Sequence, residues 1–316
     1  MKQAVLGVDI GGTGIKFGIV DRDGNILITD KVKTKGYPDP EKLPGDLFKW
    51  SATECEKLSI ELVGVGIGSP NGNYFTGTVD YPPNLPWKGI TPLEEYFKKQ
   101  FNLPAALTND AKAAALGEMF FGAAKGCLNY LFITLGTGLG AGIIVNGNLV
   151  YGHDSMAGEV GHVIVVRNGR QCPCGRQGCL EQYVSAPGIV KKYYGILRRK
   201  NLEKFRTSLG SMIDSATICE LALEKDEIAL EAYKKTSDIL GLALANSVCY
   251  TRPEKIFLFG GLAQSGDLIF EPTKESFEKY LMPIYKNKIS ILPSGLKESE
   301  AAILGSASLI WKELEK

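Results

Sequence analysis

Three cysteines crowd into the run CPCGRQGC, at Cys172, Cys174 and Cys179. Thiolates this close together are the donors of a tetrahedral zinc site, which needs a fourth ligand. The chain has two histidines, His153 and His162, and His153 lies in YGHDSMAG, which reads as a loop. The expected set is therefore Cys172, Cys174, Cys179 and His162, closed to water and structural rather than catalytic. Asp110 is a second candidate for chemistry. It follows the apolar AALTN and precedes AKAAALGEMFFGAA, which places it at a helix N-terminus, where the helix dipole favours an ionised carboxylate. Two roles suit it there: capping the helix, or accepting a proton from a reacting hydroxyl.

Two glycine-rich stretches must be positioned near such a carboxylate if phosphate chemistry is at work. DIGGTGIK, from Asp9 to Lys16, lies between AVLGV and IKFGIV, two strand-like runs. It matches neither the P-loop nor the dinucleotide fingerprint, both of which open a helix. A hairpin remains, its turn carrying Gly11, Gly12 and Thr13. The stretch from Gly136 to Ile144 overlays the one from Gly12 to Val20, matching Gly136, Thr137 and Gly138 to Gly12, Thr13 and Gly14. Each copy then reaches a second turn, at Asp23-Gly24 and Asn146-Gly147. The pattern implies an internal duplication, with both turns offering backbone N–H groups to the phosphates of one nucleotide in a cleft between two domains. Glycine suits such turns because it takes positive φ and lets a ligand approach the backbone. Asp9, beside the first turn, can hold Mg²⁺, and Lys16 either reaches toward phosphate or is a solvated strand lysine.

At 316 residues, with 44% hydrophobic and 22% charged residues, the chain has room for two ordinary globular domains. A net charge of +1 gives no footprint for nucleic acid or an anionic membrane. The segment from Gly126 to Gly152 carries no charge and is nominally long enough to span a bilayer. Its asparagines and glycines read instead as strand, turn, strand. Asp9 interrupts any signal-peptide core, and Cys55, Cys127, Cys219 and Cys249 are scattered, as in a reduced compartment. The expected location is cytoplasmic.

These motifs together resemble the ROK family of sugar kinases, within the actin-like ATPase and hexokinase superfamily. DIGGTGIK and TLGTGLGAG resemble its two phosphate motifs, and FLFGGLAQSGD, with Gly260 and Gly261, its adenosine contact. NDAKAAALGE, AGEVGH and CPCGRQGCLEQ fall between them in the family's order. The resemblance spans nearly the whole chain and implies an α/β fold of two duplicated ribonuclease-H-like (actin-like ATPase) domains around a central cleft. The expected boundaries are 1–117 plus 303–316 for a small N-terminal domain, and 118–302 for a large one carrying the zinc loop. It further implies an ATP-dependent hexose kinase in which Asp110 is the general base. Asn84, Asn109, Glu159, His162 and Glu181 contact the sugar, and His162 also binds zinc. Glucose is the expected substrate, phosphorylated on C6 with Mg²⁺-ATP. Kinases of N-acetylglucosamine, N-acetylmannosamine, mannose, fructose or allose are alternatives, and a homodimer is the family's usual form. The family also holds sugar-responsive transcriptional regulators, which carry a helix-turn-helix ahead of the kinase-like body. Here eight residues precede Asp9, which disfavours that reading.

Two positions depart from the family pattern. Asn71 stands where a glycine is common, and asparagine tolerates the left-handed region that the turn would need. Lys112 stands where a second asparagine is common and is expected on the solvent side of its helix.

Overall fold

The apolar run AVLGV becomes part of β1 (Lys2–Ile10), the middle strand of a five-stranded sheet. The computed structural model describes residues 1–200 and 213–315. β1 is covered on both faces, which is why it reads as continuous rather than alternating hydrophobicity. It forms an antiparallel hairpin with β2 (Gly14–Asp21), which β3 (Ile26–Lys33) extends. On its other side run β4 (Ile60–Gly68) and β8 (Ala105–Thr108), both parallel to their neighbours. Between β4 and β8 lies a small antiparallel sheet of β5 (Gly72–Asn73), β6 (Thr78–Asp80) and β7 (Ile90–Thr91). The helices of this region are α1 (Lys42–Leu58), α2 (Leu93–Phe101), α3 (Asp110–Phe121) and the C-terminal helix Ala301–Glu313.

Glycines on the sheet let the C-terminal helix come close. A Cβ at Gly66 would fall 1.8 Å from the Ser306 carbonyl oxygen, and one at Gly7 2.5 Å from that of Ile303. Ser306 Oγ donates to the Val8 carbonyl at 2.9 Å, and Ile303 through Trp311 are buried. The other side of this helix meets α3, where a Cβ at Gly305 would lie 2.7 Å from Ala113 backbone. α3, which begins at Asp110, is thereby fixed from behind.

The second sheet repeats the topology of the first. Its order is β11 (Asn148–Leu149), β10 (Leu139–Val145), β9 (Tyr130–Leu135), β12 (Lys255–Phe259), β13 (Ser290–Pro293). Again the first two strands form an antiparallel hairpin and the last two run parallel to the first. This is the α/β duplication expected from the two glycine-rich stretches. The uncharged segment is strand, turn, strand, and no described helix is long and apolar enough to cross a membrane. α4 (Ala186–Arg199) and the helices Ser215–Leu223, Glu227–Thr251 and Asp267–Tyr280 pack around a core that includes Leu131, Ile133, Tyr193, Leu240, Leu244 and Phe277.

The chain divides into two compact units: Met1–Cys127 with Asn148–Ala157 and Ser294–Lys316, and Leu128–Gly147 with Gly158–Pro293. The first therefore runs past 117 and takes up the chain again before 303. α3 is continuous through 117. The buried Glu118 carboxylate on it accepts the backbone N–H groups of Ala123 and Gly295, both at 2.8 Å, and the Ser294 hydroxyl. Those bonds hold the flanking segments to the same unit.

Candidate functional site

Within the first unit, Asp9, Gly68 and Thr108 lie in register at the carboxyl ends of parallel strands β1, β4 and β8. That edge is where open α/β sheets bind ligands. Asn109 follows β8 and is the cap of α3: its Oδ1 accepts from the amides of Ala111 at 3.0 Å and Lys112 at 3.3 Å. Asp110 is the first helical residue, and its Oδ1 accepts from the Ala111 amide at 2.8 Å. The Asp110 carboxylate is reached by solvent yet ringed by protein, and this crowding pushes its carboxyl above the ordinary carboxylate range, against the backbone N–H groups that pull it down. Asp9 is pushed up to about 7 by burial first and by the neighbouring Asp110 second, opposed by Lys16 directly across the hairpin. Two carboxylates thus share this edge with a lysine beside them.

The first glycine turn is held from below. Gly11 N–H donates to the Gly14 carbonyl at 3.0 Å, and the buried Thr34 hydroxyl donates to the Gly11 carbonyl at 2.6 Å. A Cβ at Gly12 would lie 2.8 Å from the Asn84 carbonyl oxygen. The segment bearing Asn84 therefore rests on the turn, and Trp87 anchors it by donating Nε1–H to the Tyr37 carbonyl at 2.8 Å. Thr13, Lys16 and the Asn84 side chain stay exposed.

In the second unit the corresponding turn is one residue shorter, since Leu135 pairs with Leu139 whereas Ile10 pairs with Ile15. Gly136 N–H donates to the Gly138 carbonyl at 3.0 Å, and Thr137 is exposed. Glu181 sits against this turn: its Oε2 accepts the Leu139 amide at 3.1 Å and would lie 2.6 Å from a Cβ at Gly138. Gly260, at φ 96°, approaches Leu135 so closely that a Cβ would lie 2.8 Å from its carbonyl oxygen. Gly261 has open space where a Cβ would be. Glu159 is exposed, just before the short helical turn Val160–His162.

None of Gly11, Gly12, Gly14, Gly136 and Gly138 has positive φ. Positive φ is therefore not what these turns use: Gly12 and Gly138 are required by close approach of Asn84 and Glu181, while at Gly136 the protein leaves the space open.

His162, Cys172, Cys174 and Cys179 bring their ligand atoms within 4.8 Å of one another. The Cys174 and Cys179 sulfurs are 3.6 Å apart, and Cys172 Sγ lies 3.6 Å from His162 Nδ1. A tetrahedral zinc with ordinary bond lengths requires ~3.8 Å between sulfurs and ~3.6 Å between sulfur and nitrogen, and these two separations suit that ion. Without metal, N–H groups of Arg176 draw the Cys174 thiol down to about 6, and burial pushes that of Cys179 up to about 12. The loop geometry depends on Gly178, at φ 83°, where a Cβ would fall 1.8 Å from the Val166 carbonyl oxygen. His153 is an exposed loop residue.

Asn71 adopts φ 53° and donates Nδ2–H to the Asp80 carbonyl at 2.9 Å, so the turn persists with asparagine in place of glycine. Lys112 corrects the expectation of a solvated position. It is buried, and its ammonium donates to the Ser155 carbonyl. Ser155 is itself buried at φ 71°, and its hydroxyl accepts the Tyr74 amide at 2.8 Å. Thr34, Trp87 and Ser155 were invisible in the sequence because each acts through a backbone carbonyl or amide far along the chain.

Two duplicated sheets of this topology, each opening on a glycine-turn hairpin, define the architecture of the actin-like ATPases and the sugar kinases among them. The chain belongs to the ROK family, whose sequence model matches residues 5–313. It is 35% identical over 313 residues to a glucokinase from Streptomyces coelicolor, covering 96% of both chains. It is 28% identical to a xylose repressor from Caldicellulosiruptor bescii, covering 98% of this chain and 79% of the repressor. The crystal structure of a ROK family glucokinase from Streptomyces griseus, in complex with glucose and AMPPNP, is similar over 97% of this chain and 98% of that one, at 34% identity and a TM-score of 0.78.

Proposed function

We propose that the chain is an ATP-dependent glucose kinase that phosphorylates the C6 hydroxyl. The observation that carries this reading is Asp110: Asn109 caps α3, so the Asp110 carboxylate is not needed as the cap, and crowding raises its basicity toward that of a useful general base. In this reading Asp110 takes the proton from the sugar hydroxyl as that oxygen attacks the γ-phosphorus, and ADP leaves. Phosphoryl transfer asks little more of a protein than positioning and charge stabilisation. The amides of Gly11, Gly12 and Thr13 and of Gly136, Thr137 and Gly138 bind phosphate oxygens, Lys16 adds a positive charge, and Gly260 and Gly261 leave room for adenosine.

Mg²⁺ would be held by Asp9 and would neutralise charge on the transferring phosphoryl group. Asn84, Asn109, Glu159, His162 and Glu181 bind the sugar hydroxyls. His162, Cys172, Cys174 and Cys179 hold a structural zinc. With zinc on Nδ1, the imidazole presents Nε2–H as a donor. A homodimer in the cytoplasm completes the proposal.

The test is an ADP-release assay with Mg²⁺-ATP over a panel of hexoses and N-acetylhexosamines. Glucose is expected to give the highest kcat/KM. A maximum at mannose, fructose, allose or an N-acetylhexosamine would reassign the substrate, and no turnover with any sugar would sink the kinase reading.

A further inference from the structure

Away from these groups, α4 and the helix Glu227–Thr251 border a cavity of about 260 Å³ lined by Arg170, Lys191, Lys192, Arg199 and Lys235 together with Gly195 and Ile196. Five cations around one small cavity contrast with a net charge of +1 for the whole chain. A nearby acid among the described residues is Glu231, whose carboxylate is shared by Arg199 at 3.1 Å, Lys200 at 3.1 Å and Lys235 at 2.8 Å. Lys191 donates to the Gln182 side-chain oxygen at 3.0 Å, and Arg170 Nη1 donates to the carbonyls of Gln182 and Gly188. Neither Arg170 nor Lys192 has an acidic partner among the described residues. Both are partly buried over the face of Tyr183, at 4.7 Å and 5.6 Å from its centroid.

Like charges gathered in a partly enclosed space repel one another and lose hydration, a cost that a folded protein ordinarily offsets with carboxylates. Here burial, together with Arg170, Lys235 and Arg199, holds the Lys192 ammonium below its usual range. The excess of positive charge among the described residues is therefore felt within the fold. Arginine forks and lysine ammoniums around a concave surface are the donors that bind phosphate oxygens most strongly. Arg170 has N–H donors beyond the Nη1 that the two carbonyls engage.

We propose that this cavity is a binding site for a compact, multiply charged phosphate anion, held by Arg170, Lys192, Arg199 and Lys235. It stands apart from the kinase reading, since none of these residues belongs to the glycine turns, the proposed sugar ligands or the zinc set. The anion's chemistry is shared by inorganic phosphates and by phosphorylated sugars.

The test is calorimetry on the full-length, zinc-verified protein in low salt, with glucose and a non-hydrolysable ATP analogue present to occupy the kinase site. Phosphate, pyrophosphate, tripolyphosphate and glucose 6-phosphate are titrated separately, which distinguishes an inorganic from a sugar-borne ligand. One saturable site is expected for at least one of them, weakening as salt is raised. The double variant Lys192→Gln/Arg199→Gln should weaken it by about tenfold or more, the loss expected from removing charge-assisted hydrogen bonds. Lys192→Arg, which keeps the charge, should retain binding, and melting curves show that each variant is folded. No binding of any of the four anions, binding unchanged in the folded double variant, or binding only of nucleic acid or anionic vesicles would each overturn the proposal.

Discussion

The side chain of Asn109, not that of Asp110, satisfies the amide of Lys112 in the first turn of α3, at 3.3 Å. The two neighbouring residues therefore divide the work that either could have done alone. Replacing Asp110 by Asn should leave the helix intact and sugar binding within a few-fold of the parent. Turnover should fall by ~10²–10⁴, the usual contribution of a general base. Calorimetry and steady-state kinetics on one preparation decide it: turnover within tenfold of the parent would return Asp110 to a structural role.

The raised carboxyl of Asp9 carries a pH signature. Its value goes from 3.8 to about 7 on folding, so between those limits the folded state binds more protons than the unfolded one. Stability of the metal-free protein should therefore fall as pH rises through this window, with the cost complete above it. Asp9→Asn removes the charge, and the expected gain is roughly 2–4 kcal/mol at about pH 8 and nearly none at about pH 4. Melting curves without Mg²⁺ at the two pH values check the sign. The same variant should lose Mg²⁺-dependent turnover.

The glycine turns give a pair of contrasting variants. At Gly136 the protein leaves a Cβ unopposed, so Gly136→Ala should melt like the parent while raising the KM for ATP about tenfold if phosphate occupies that space, roughly one charge-assisted hydrogen bond. Gly138→Ala instead pushes on Glu181, which lies 2.6 Å from the new methyl, and should disturb the KM for sugar as well. Equal effects of the two substitutions on both substrates would contradict the assignment.

Elemental analysis should find one zinc per chain. Cys174→Ser or chelation should raise the KM for sugar far more than that for ATP, because the cluster holds His162 and lies two residues before Glu181. An effect of ~10–100-fold is typical when the groups that orient a ligand are lost. Stripping that leaves the protein folded and weakens both substrates alike would refute the link.

Lys112→Met keeps the length and apolar stem of the side chain but removes its ammonium. It leaves the buried Ser155 carbonyl without that donor, a loss of about 1–3 kcal/mol. The melting temperature should drop, and sugar binding should weaken because Ser155 lies four residues before Glu159. A parent-like melting curve would show that the loop is held by other contacts.

Much of this was legible in residue order. The overlay of GTG at Gly12 and Gly136 implied the duplicated sheets, because a hairpin turn and its strands are local structures written in consecutive residues. The grouping of the cysteines was legible for the same reason: three of its four members lie within one loop. Lys112 was not, since its position on a helix says nothing of the distant Ser155 carbonyl that draws its charge inward. Why glycine stands at Gly12 and Gly138 was not legible either, for a related reason. A glycine can be required by its own φ or by a neighbour's approach, and only the fold brings Asn84 and Glu181 against those positions.

The seating of the last helix on the first strand carries a consequence for synthesis. Ser306 bonds to Val8, and Gly7 and Gly66 are shaped to that helix's backbone. On the ribosome, a sheet begun at residue 2 must wait for residues 301–313 to emerge before its face is covered. The second unit lies wholly inside that interval, so its chain is complete while the first is still open. The nascent protein therefore exposes apolar strands for most of its translation, the state in which aggregation competes with folding. The first unit can close only once the helix Ala301–Glu313 has emerged, and removal of that helix should leave it dependent on chaperones.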